Sequence, residues 1–539
     1  MDKVRTGRRY RANRLAGEYD VLIIGSGIGG LVNAALLSLL GKKVCVLEQH
    51  YTAGGYTHAY EREGFEWDVG VHYIGDVHRP ESRLRRIFDV VSEGRLQWAE
   101  MDPVYDRIIL GDHEYDLKAG TENFIAELIW HFPEEEEAIR RYVALVRETS
   151  YKSSQFFAGQ AMPRPLAGVY GKTRGVLLGK QFRQTTREVL ESLTDNQQLI
   201  AVLTGQWGDY GLPPAESSFV MHALVAKHYL AGGAYPVGGA SAMARSIIPT
   251  IQKAGGEVFT YAEVTQILLE RDRAVGVVMA DGTEIRAPAI VSNAGILPTV
   301  NSLLPDTVRS RFQLHSDDRI RLSSAHLCLY AGFHGSPQSL GMDTTNLWIY
   351  PDADHEGNVA RYLSDPDNNP FPLVYISFPS AKDPQWSERY PDKSTVEIVT
   401  VTNPEWFARW QDTTWQQRGD DYEAKKAHLS RKLLAILFQR MPQLESALAF
   451  YELSTPLSTR FYQRNVQGEI YGLDHFPERF DHPGLHPKTP LKNLYLTGAD
   501  VVTAGVGGAV MGGLMTTSVM LGPRKAKDMM KLLKEWAPG

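Results

Sequence analysis

The feature that most constrains the fold of this chain is a glycine-rich motif that follows an apolar run near the N-terminus. Residues 19–24 (YDVLII) predict a buried parallel strand, and they lead into the sequence GSGIGG at residues 25–30 and then an apolar helical pattern. A strand, a GxGxxG turn and a helix in this order are typical of the phosphate-binding start of a Rossmann-type domain. The residues expected to bind a dinucleotide here are Gly25, Ser26, Gly27, Ile28, Gly29 and Gly30.

The glycines have distinct tasks in such a turn. Gly25 permits the sharp change of direction, Gly27 lets the backbone approach a pyrophosphate, and Gly30 lets the helix pack on the strand. The N-terminus of the following helix adds unpaired N–H groups and the positive end of the helix dipole, and both favour an anion.

The segment that follows indicates which dinucleotide binds. A second strand, predicted over residues 43–47, ends at Glu48, where an acid can bind ribose hydroxyl groups. Gln49 comes next, and a second glycine pair, Gly54 and Gly55, follows it. A simple nicotinamide-binding domain does not need this second pair. The pattern resembles that of the two-dinucleotide-binding flavoproteins, and the resemblance implies FAD as the cofactor.

The composition excludes several classes of protein. The 539 residues allow three or four folding units of about 100–200 residues each, and 43% hydrophobic with 22% charged residues is typical of a globular protein. A net charge of −6 argues against a nucleic-acid partner. The only cysteines are Cys45 and Cys328, so we expect no disulfide framework and a reducing, cytoplasmic location. The 16 histidines show no metal-site spacing on a clear helix, and no metal is expected.

Two later stretches carry further glycine motifs. The first, residues 232–295, begins with GGAYPVGG, continues through a strand predicted over residues 258–269, and ends in the strand sequence AIVSNAG. The second, residues 494–513, combines a predicted strand (LYLTGAD, residues 494–500) with the glycine-rich start of a helix (AGVGGAVMGG). Both stretches resemble cofactor segments of amine oxidases and phytoene desaturases. That resemblance assigns FAD contacts to Val264, Gly498, Asp500, Gly507 and Gly508.

These motifs predict an α/β fold in which a Rossmann-like two-dinucleotide-binding FAD domain is combined with a discontinuous α+β substrate domain. We place the three parts of the FAD domain at residues 18–76, 230–299 and 488–535. The substrate domain then comprises residues 77–229 and 300–487, which lack the glycine motifs and are rich in aromatic residues. Large apolar pockets are lined in this way, but so are ordinary cores, and composition alone does not decide between them.

Six separate motifs narrow the resemblance further. They are VGVHYIG (69–75), GDYGLPP (208–214), HALVAKHYLAGGAY (222–235), FPSAKDP (378–384), EWFARW (405–410) and TPLSTRFYQRNVQGEIYG (455–472). Over about residues 18–525, the chain resembles the all-trans-retinol 13,14-reductase (retinol saturase) family, within the phytoene desaturase and carotenoid isomerase group. It differs at the N-terminus, where animal members carry a hydrophobic targeting segment and residues 3–14 of this chain are basic.

The resemblance implies an FAD-dependent oxidoreductase that acts on CH–CH groups and saturates a carbon–carbon double bond of a retinoid or related polyene lipid. A carotenoid cis–trans isomerase and a desaturase on the same fold stay open as alternatives. A non-catalytic carrier of an isoprenoid or lipid is an alternative of another class. No second GxGxxG is obvious in the sequence, so the expected electron source is transient NAD(P)H or another carrier. The oligomeric state is left open.

Saturation of a polyene needs a hydride and a proton on adjacent carbons, and a flavin supplies the hydride. The proton must come from an acid within hydrogen-bond reach. His72 and Tyr73 are the first candidates, because the strand predicted over residues 67–74 follows the second glycine pair closely. Tyr210, Tyr229 and Tyr235 are further candidates. For each of them, an aromatic side chain that only packs near the ring or closes the pocket is the plainer interpretation.

Four stretches bear on membrane contact. The uncharged runs 21–41 and 501–523 are long enough to span a bilayer, but their glycines and hydroxyl groups lower the hydrophobicity, so we interpret both as buried. Residues 149–187 contain seven basic residues and no acid, together with large apolar side chains, a composition suited to anionic headgroups. Residues 525–536 are amphipathic and either pack on the sheet or anchor the C-terminus. We expect peripheral contact with a membrane surface.

Overall fold

A parallel sheet of six strands carries the first glycine motif. This computed structural model describes residues 4–160, 179–314 and 319–537. In spatial order, the strands of the parallel sheet are Arg8–Arg9, Glu257–Thr260, Val44–Leu47, Val21–Ile24, Ala289–Ser292 and Leu494–Leu496. Every neighbouring pair is parallel, so each connection crosses over the sheet. The predicted α/β, Rossmann-like fold is confirmed.

The helix Ile28–Leu39 leaves the parallel sheet directly after the GSGIGG turn. It is buried from Ile28 to Ser38, and it packs against helix Ser241–Lys253 and the first part of helix Gly505–Glu535. A helix that is apolar all round is typical of a protein core. The uncharged run 21–41 is therefore a buried strand and a buried helix, as expected.

The contact between these helices requires glycine. A Cβ placed on Gly513 would lie 2.6 Å from the carbonyl oxygen of Gly29, and a Cβ on Gly512 would overlap the carbonyl oxygen of Gly498. Backbones can approach this closely only where no side chain intervenes. The C-terminal helix is thereby held against the turn at the N-terminal end of the chain.

A seven-stranded sheet lies in the stretches between the glycine motifs. Its strands, in spatial order, are Leu448–Ser454, Ala325–His334, Lys393–Thr402, Val374–Ser377, Asn346–Tyr350, Val104–Leu110 and His113–Lys118. The pairs are antiparallel, except that Asn346–Tyr350 and Val104–Leu110 are parallel. Strand Ala325–His334 is buried along nearly its whole length, so this sheet is covered on both faces.

Smaller sheets and further helices complete the described part of the chain. The small sheets are Ile74–Gly75 with Gly233–Pro236 and Trp98–Glu100, the meander of Val264–Glu270, Arg273–Met279 and Glu284–Arg286, and the hairpin of Ala59–Arg62 with Phe65–Asp68. The remaining α-helices are Arg83–Ser92, Thr121–His131, Glu136–Gln160, Thr186–Glu191, Gln197–Leu203, Phe219–Tyr229, Ile296–Pro298, Asp306–Arg309, His355–Ser364, Pro379–Lys382, Trp386–Arg389, Asp420–Arg440 and Pro456–Gln463.

Helix Gly505–Glu535 is the one described helix that is long and apolar enough, by length and composition, to cross a membrane. It is broken at Gly522, whose φ is 71°, and Pro523 follows. Beyond the break, Met529 and Leu533 are buried in the same apolar core as helix Arg83–Ser92. The amphipathic stretch 525–536 therefore packs its apolar face on the protein. Residues 161–178, the centre of the acid-free segment, lie outside the described residues.

Three predicted strands have other bounds in the structure. The strand expected over residues 67–74 is two strands, Phe65–Asp68 and Ile74–Gly75, because the residues between them leave the sheets to line a cavity. The strand expected over residues 258–269 is also two strands, since Tyr261 has a positive φ of 52° and turns the chain. The strand expected over residues 494–500 ends at Leu496, just before Gly498 turns with a φ of 92°.

The glycine contacts of the C-terminal helix predict two opposite effects of adding one methyl group. We expect Gly512→Ala to lower the free energy of unfolding by about 1–3 kcal/mol, the usual effect of overpacking. In Gly507→Ala the new Cβ meets only ordinary contacts of 3.7 Å and longer, and alanine raises helix propensity, so stability is unchanged or higher. Denaturant titration followed by circular dichroism measures both variants. Equal destabilisation of the two would contradict the close backbone contact.

Candidate active site

A cavity of about 1350 Å³ opens at the carboxyl ends of the parallel strands. Ile24, Leu47 and Thr497, at or just beyond three strand ends, line it. Ligands of open α/β sheets bind at this edge. The same cavity continues to the seven-stranded sheet, where Trp348 and Tyr375 line it. One continuous space therefore joins the glycine loops to an aromatic region.

Most of the predicted cofactor residues lie on the wall of this cavity. Those that line it are Gly25, Gly27, Ile28, Gly29, Glu48, Gln49, Gly54, Gly55, Val264, Gly498, Asp500, Gly507 and Gly508. Ser26 and Gly30 lie behind the wall. Gly30 packs on the turn itself, since a Cβ there would lie 2.6 Å from the carbonyl oxygen of Gly25.

The glycine loops form a narrow cradle of backbone. Gly27 forms an isolated parallel bridge with Gly54, and a Cβ on Gly55 would lie 2.9 Å from the Cα of Gly27. Asn293, which sequence analysis did not single out, fills the other side, with its Nδ2 atom 2.8 Å from the position of a Gly27 Cβ. The AIVSNAG stretch contained this residue but gave no signal that its amide packs on the glycines.

Glu48 holds the first loop in place. Its Oε2 atom accepts hydrogen bonds from the backbone N–H of Ser26 at 2.8 Å and from the Ser26 hydroxyl at 2.7 Å. Its Oε1 atom accepts one from the backbone N–H of His50 at 2.8 Å. Glu48 is buried but lines the cavity, so the carboxylate stiffens the loop at the cavity wall.

The C-terminal segment closes the cradle from the opposite side. Asp500 Oδ2 accepts a hydrogen bond of 2.7 Å from the backbone N–H of Ile296, and the buried Arg479 donates to the carbonyl oxygens of Ala499 and Asp500. Helix Gly505–Glu535 begins at the cavity wall with Gly505, Val506, Gly507 and Gly508. Two helix N-termini thus meet the same cavity, an arrangement that favours a pyrophosphate.

The far half of the cavity is aromatic. Tyr73 stacks on Tyr229 with ring centroids 4.2 Å apart, and Tyr375 lies 4.4 Å from Trp348 and 5.0 Å from His72. All five line the cavity. Two of the tyrosines considered from the sequence do not line it: Tyr210 is buried beside His222, and Tyr235 donates its hydroxyl proton to Asp68.

Tyr73 is held by a buried polar network. Its hydroxyl donates to Asp106 Oδ2 at 2.7 Å, and the amide of Gln206 donates to the same oxygen at 2.7 Å. Asp106 Oδ1 accepts from the amide of Asn346 at 2.9 Å, and Asn346 in turn accepts from Lys382. Burial raises the pKa of Asp106 to about 6 and lowers the pKa of Lys382 to about 7.

His72 lies beside a second buried acid. Its Nδ1 atom is 2.8 Å from Glu397 Oε2, but neither atom has an aligned hydrogen-bond partner among the described residues. The pair is therefore a close contact without a formed hydrogen bond. Burial, reinforced by the positive charge of Lys382, lowers the pKa of His72 to about 3. Burial also raises the pKa of Glu397 to about 8. At neutral pH the imidazole is therefore neutral.

Sequence reasoning missed two residues for which a signal was available. Lys382 belongs to the FPSAKDP motif and Asp209 to the GDYGLPP motif, but neither was given a role. Asp209 lines the cavity, whereas its neighbour Tyr210, which was considered instead, does not. The signal available for Asp209 was a carboxyl group placed between glycines and aromatic residues in this motif.

Comparison with known proteins agrees with this geometry. A family model described as an NAD(P)-binding Rossmann-like domain matches residues 23–91. The all-trans-retinol 13,14-reductase of Danio rerio is 36% identical over 95% of this chain and 87% of its own length. A protein named inactive all-trans-retinol 13,14-reductase, also from Danio rerio, is 33% identical over 95% of this chain and 87% of its length. The chloroplastic prolycopene isomerase of Daucus carota is 27% identical over 84% and 72%.

Solved structures share the fold at low sequence identity. A putrescine oxidase superposes with a TM-score of 0.60 at 15% identity, over 94% of this chain and 99% of that one. Cyclohexylamine oxidase from Brevibacterium oxydans gives a TM-score of 0.58 at 16% identity, over 96% and 99%.

The Rossmann-like sheet, the glycine cradle and the joined aromatic cavity define an oxidoreductase with a dinucleotide-binding domain. The sequence similarity to the reductases, which extends along nearly the whole chain, identifies the family more specifically than the fold does. The chain belongs to the all-trans-retinol 13,14-reductase family.

The buried acid beside His72 predicts a pH dependence of stability. Because folding raises the pKa of Glu397 from its ordinary 4.5 to about 8, the folded protein retains a proton there that the unfolded chain releases. The folded state then binds more protons, and stability falls as pH rises from about 4.5 to 8. Glu397→Gln removes this titration.

We expect the free energy of unfolding of the wild type, relative to Glu397→Gln, to decrease steadily across that window. Denaturant titrations at several pH values measure the difference. Glu122→Gln, whose side chain is 83% exposed, is the matched control and should follow the wild type. Parallel curves for the wild type and Glu397→Gln would contradict the raised pKa.

Proposed function

We propose that this protein is an FAD-dependent reductase that saturates one carbon–carbon double bond of a retinoid or related polyene lipid. The observation that carries the proposal is the single cavity that joins the glycine cradle to the aromatic region. A dinucleotide in the cradle and an elongated apolar substrate among the rings would share one continuous space. The identity of 36% to a protein named all-trans-retinol 13,14-reductase supports the choice of substrate.

The residues present fit FAD in their chemistry. The ribose of the adenosine half would meet Glu48, and the backbone of Val264 would meet its adenine. The pyrophosphate would lie between the N-termini of helices Ile28–Leu39 and Gly505–Glu535, and Asp500, which lines the cavity, would meet the ribityl chain. Backbone at Gly27 and Gly55 leaves the close approach that this requires.

When bound and reduced, the flavin supplies the hydride. The chain has three tasks of its own: to hold the polyene, to exclude water and to deliver a proton. Tyr73, Tyr229 and Trp348 give the polyene flat apolar walls, and the network behind Tyr73 fixes its ring. Burial of these rings keeps the reacting carbons away from bulk water.

Two alternative functions differ from the reductase in the redox change that they predict. The relative named prolycopene isomerase, at 27% identity, supports an isomerase on the same fold less strongly than the reductases support a reductase. The relative named as inactive, at 33% identity, gives weight to a chain that binds a polyene without turnover. The reductase proposal therefore needs a test that reads the redox change directly.

We also propose that the protein is cytoplasmic, takes electrons from transient NAD(P)H or another carrier, and touches membranes peripherally. Apolar side chains at the cavity support the membrane contact. Met530 is 47% exposed and lines the cavity. Tyr151 is 67% exposed beside the lining residue Ser150. An opening with such groups suits a substrate that arrives from lipid.

The cofactor proposal predicts that purified protein carries a yellow flavin. Glu48→Ala should weaken FAD binding by about 10–100-fold, because a charge-assisted acceptor worth roughly 1.5–3 kcal/mol is lost. The Kd is measured by fluorescence titration of the flavin-free protein. Glu18→Ala, a change at an exposed acid ahead of strand Val21–Ile24, should bind FAD normally. A wild-type protein that stays colourless with added FAD would refute the cofactor.

The proposed reaction predicts a change in the colour of the flavin under anaerobic conditions. Mixing the reduced holoenzyme with an all-trans retinoid or a carotenoid should reoxidise the flavin, and the product mass should rise by two hydrogens. Persistent reduction with an unchanged product mass would identify an isomerase or a carrier. A loss of two hydrogens from the polyene, with oxidised enzyme becoming reduced, would identify a desaturase.

A further inference from the structure

Asp209 carries a carboxyl group in the aromatic half of the cavity, and the proposed function assigns it no role. It lines the cavity, and its Oδ2 atom is buried without a hydrogen-bond partner among residues 4–160, 179–314 and 319–537. The backbone that carries it is fixed. It ends the helical turn Trp207–Asp209, and the neighbouring carbonyl of Gly208 accepts a hydrogen bond of 2.9 Å from the Tyr471 hydroxyl.

The surroundings of Asp209 keep its proton bound. Burial raises the pKa of Asp209 well above its ordinary value, and the nearby negative charge of Asp106 raises it further, against a smaller opposing effect of the Tyr73 hydroxyl. Asp106 has three hydrogen-bond donors, from Tyr73, Gln206 and Asn346, and its pKa rises only to about 6. Two neighbouring carboxyl groups with pKa values pushed apart are a common basis of acid–base assignments in enzymes.

We propose that Asp209 is the acid that protonates the polyene. This inference rests on the proposed reductase function and names the proton donor of that reaction. The proton leaves the Asp209 carboxyl group for one carbon of the double bond, whose π electrons form the new C–H bond. The adjacent carbon, left electron-deficient, would take up the hydride, with its electron pair, that reduced FAD would supply. The Asp209 carboxylate then recovers a proton from solvent water.

The rings around Asp209 suit the charge that this step creates. Protonation leaves a cation delocalised along the polyene, and the faces of aromatic rings attract cations. The rings that line the cavity with Asp209 include Tyr73, Tyr229, Trp348, Tyr375 and Tyr471. His72 and Tyr73, the first candidates from the sequence, are less suitable than Asp209 as the proton donor. His72 is neutral at neutral pH, and Tyr73 already donates its proton to Asp106.

The first test needs no substrate. Infrared spectra of the flavin-loaded protein in the carboxylic-acid C=O region are compared between the wild type and Asp209→Asn at neutral pH. We expect a protonated-carboxyl band in the wild type that the variant lacks. Thermal unfolding and flavin absorbance check that Asp209→Asn folds and binds FAD. If the spectra of the two proteins coincide, Asp209 is not protonated and the inference is overturned.

The second test uses turnover. Asp209→Asn should lower the rate at which a polyene reoxidises the reduced flavin by about 10²–10⁴-fold, the usual contribution of a general acid. The KM and the reduction of the flavin by its electron donor should change little, and Asp209→Glu should recover part of the rate. The exposed Asp112→Asn serves as control. A rate for Asp209→Asn within threefold of wild type would overturn the inference.

The two tests also separate this inference from the function on which it rests. A wild-type protein that reduces no polyene refutes the proposed function, whatever the infrared result. A wild type that reduces a polyene while Asp209→Asn does so equally well leaves the function intact and removes Asp209 as the acid.

Discussion

Close approach of glycine backbones is the constraint on which the rest of this structure depends. Segments from the beginning, middle and end of the chain meet around Asn293, whose side chain lies against the positions that a Cβ would take on Gly27, Gly29 and Gly498. Any larger residue at these three positions would push the segments apart. The cavity is the space that remains beside this junction, so the geometry of the proposed cofactor site follows directly from backbone contact.

The aromatic half of the cavity depends on a different balance, between burial and charge. Asp106, Lys382 and Glu397 are all buried, and an isolated charge is costly in such a place. Hydrogen bonds between them and neighbouring amides compensate for part of this cost, and the pKa values shift towards the neutral forms. The same low dielectric that makes the charged forms of these groups unfavourable strengthens the hydrogen bonds that they form.

The sequence predicted the parallel sheet and the glycine loops well, because both depend on local patterns: apolar runs of strand length and glycines at fixed spacing. The sequence did not predict the features that depend on contacts between segments far apart in the chain. Tyr210 and Tyr235 resemble pocket aromatics, but their hydroxyl groups are used by His222 and Asp68. Asp209 and Lys382 stood in recognised motifs, yet only the tertiary structure shows which of the two lines the cavity. The strand expected over residues 67–74 was interrupted by the same cavity.

The position of strand Leu494–Leu496 at the edge of the parallel sheet has a consequence for biosynthesis. This strand pairs with Ala289–Ser292, and helix Gly505–Glu535 then covers Ile28–Leu39. Strand Leu494–Leu496 and helix Gly505–Glu535 are synthesised after the other segments that form the cradle, so the N-terminal glycine turn must wait for them before its cradle can close. Long-range parallel pairing is slow and leaves unpaired edges exposed. We expect the cradle to form only after residues 494–535 are synthesised, and chaperones that protect the unpaired strand edges before then should raise the yield of folded protein.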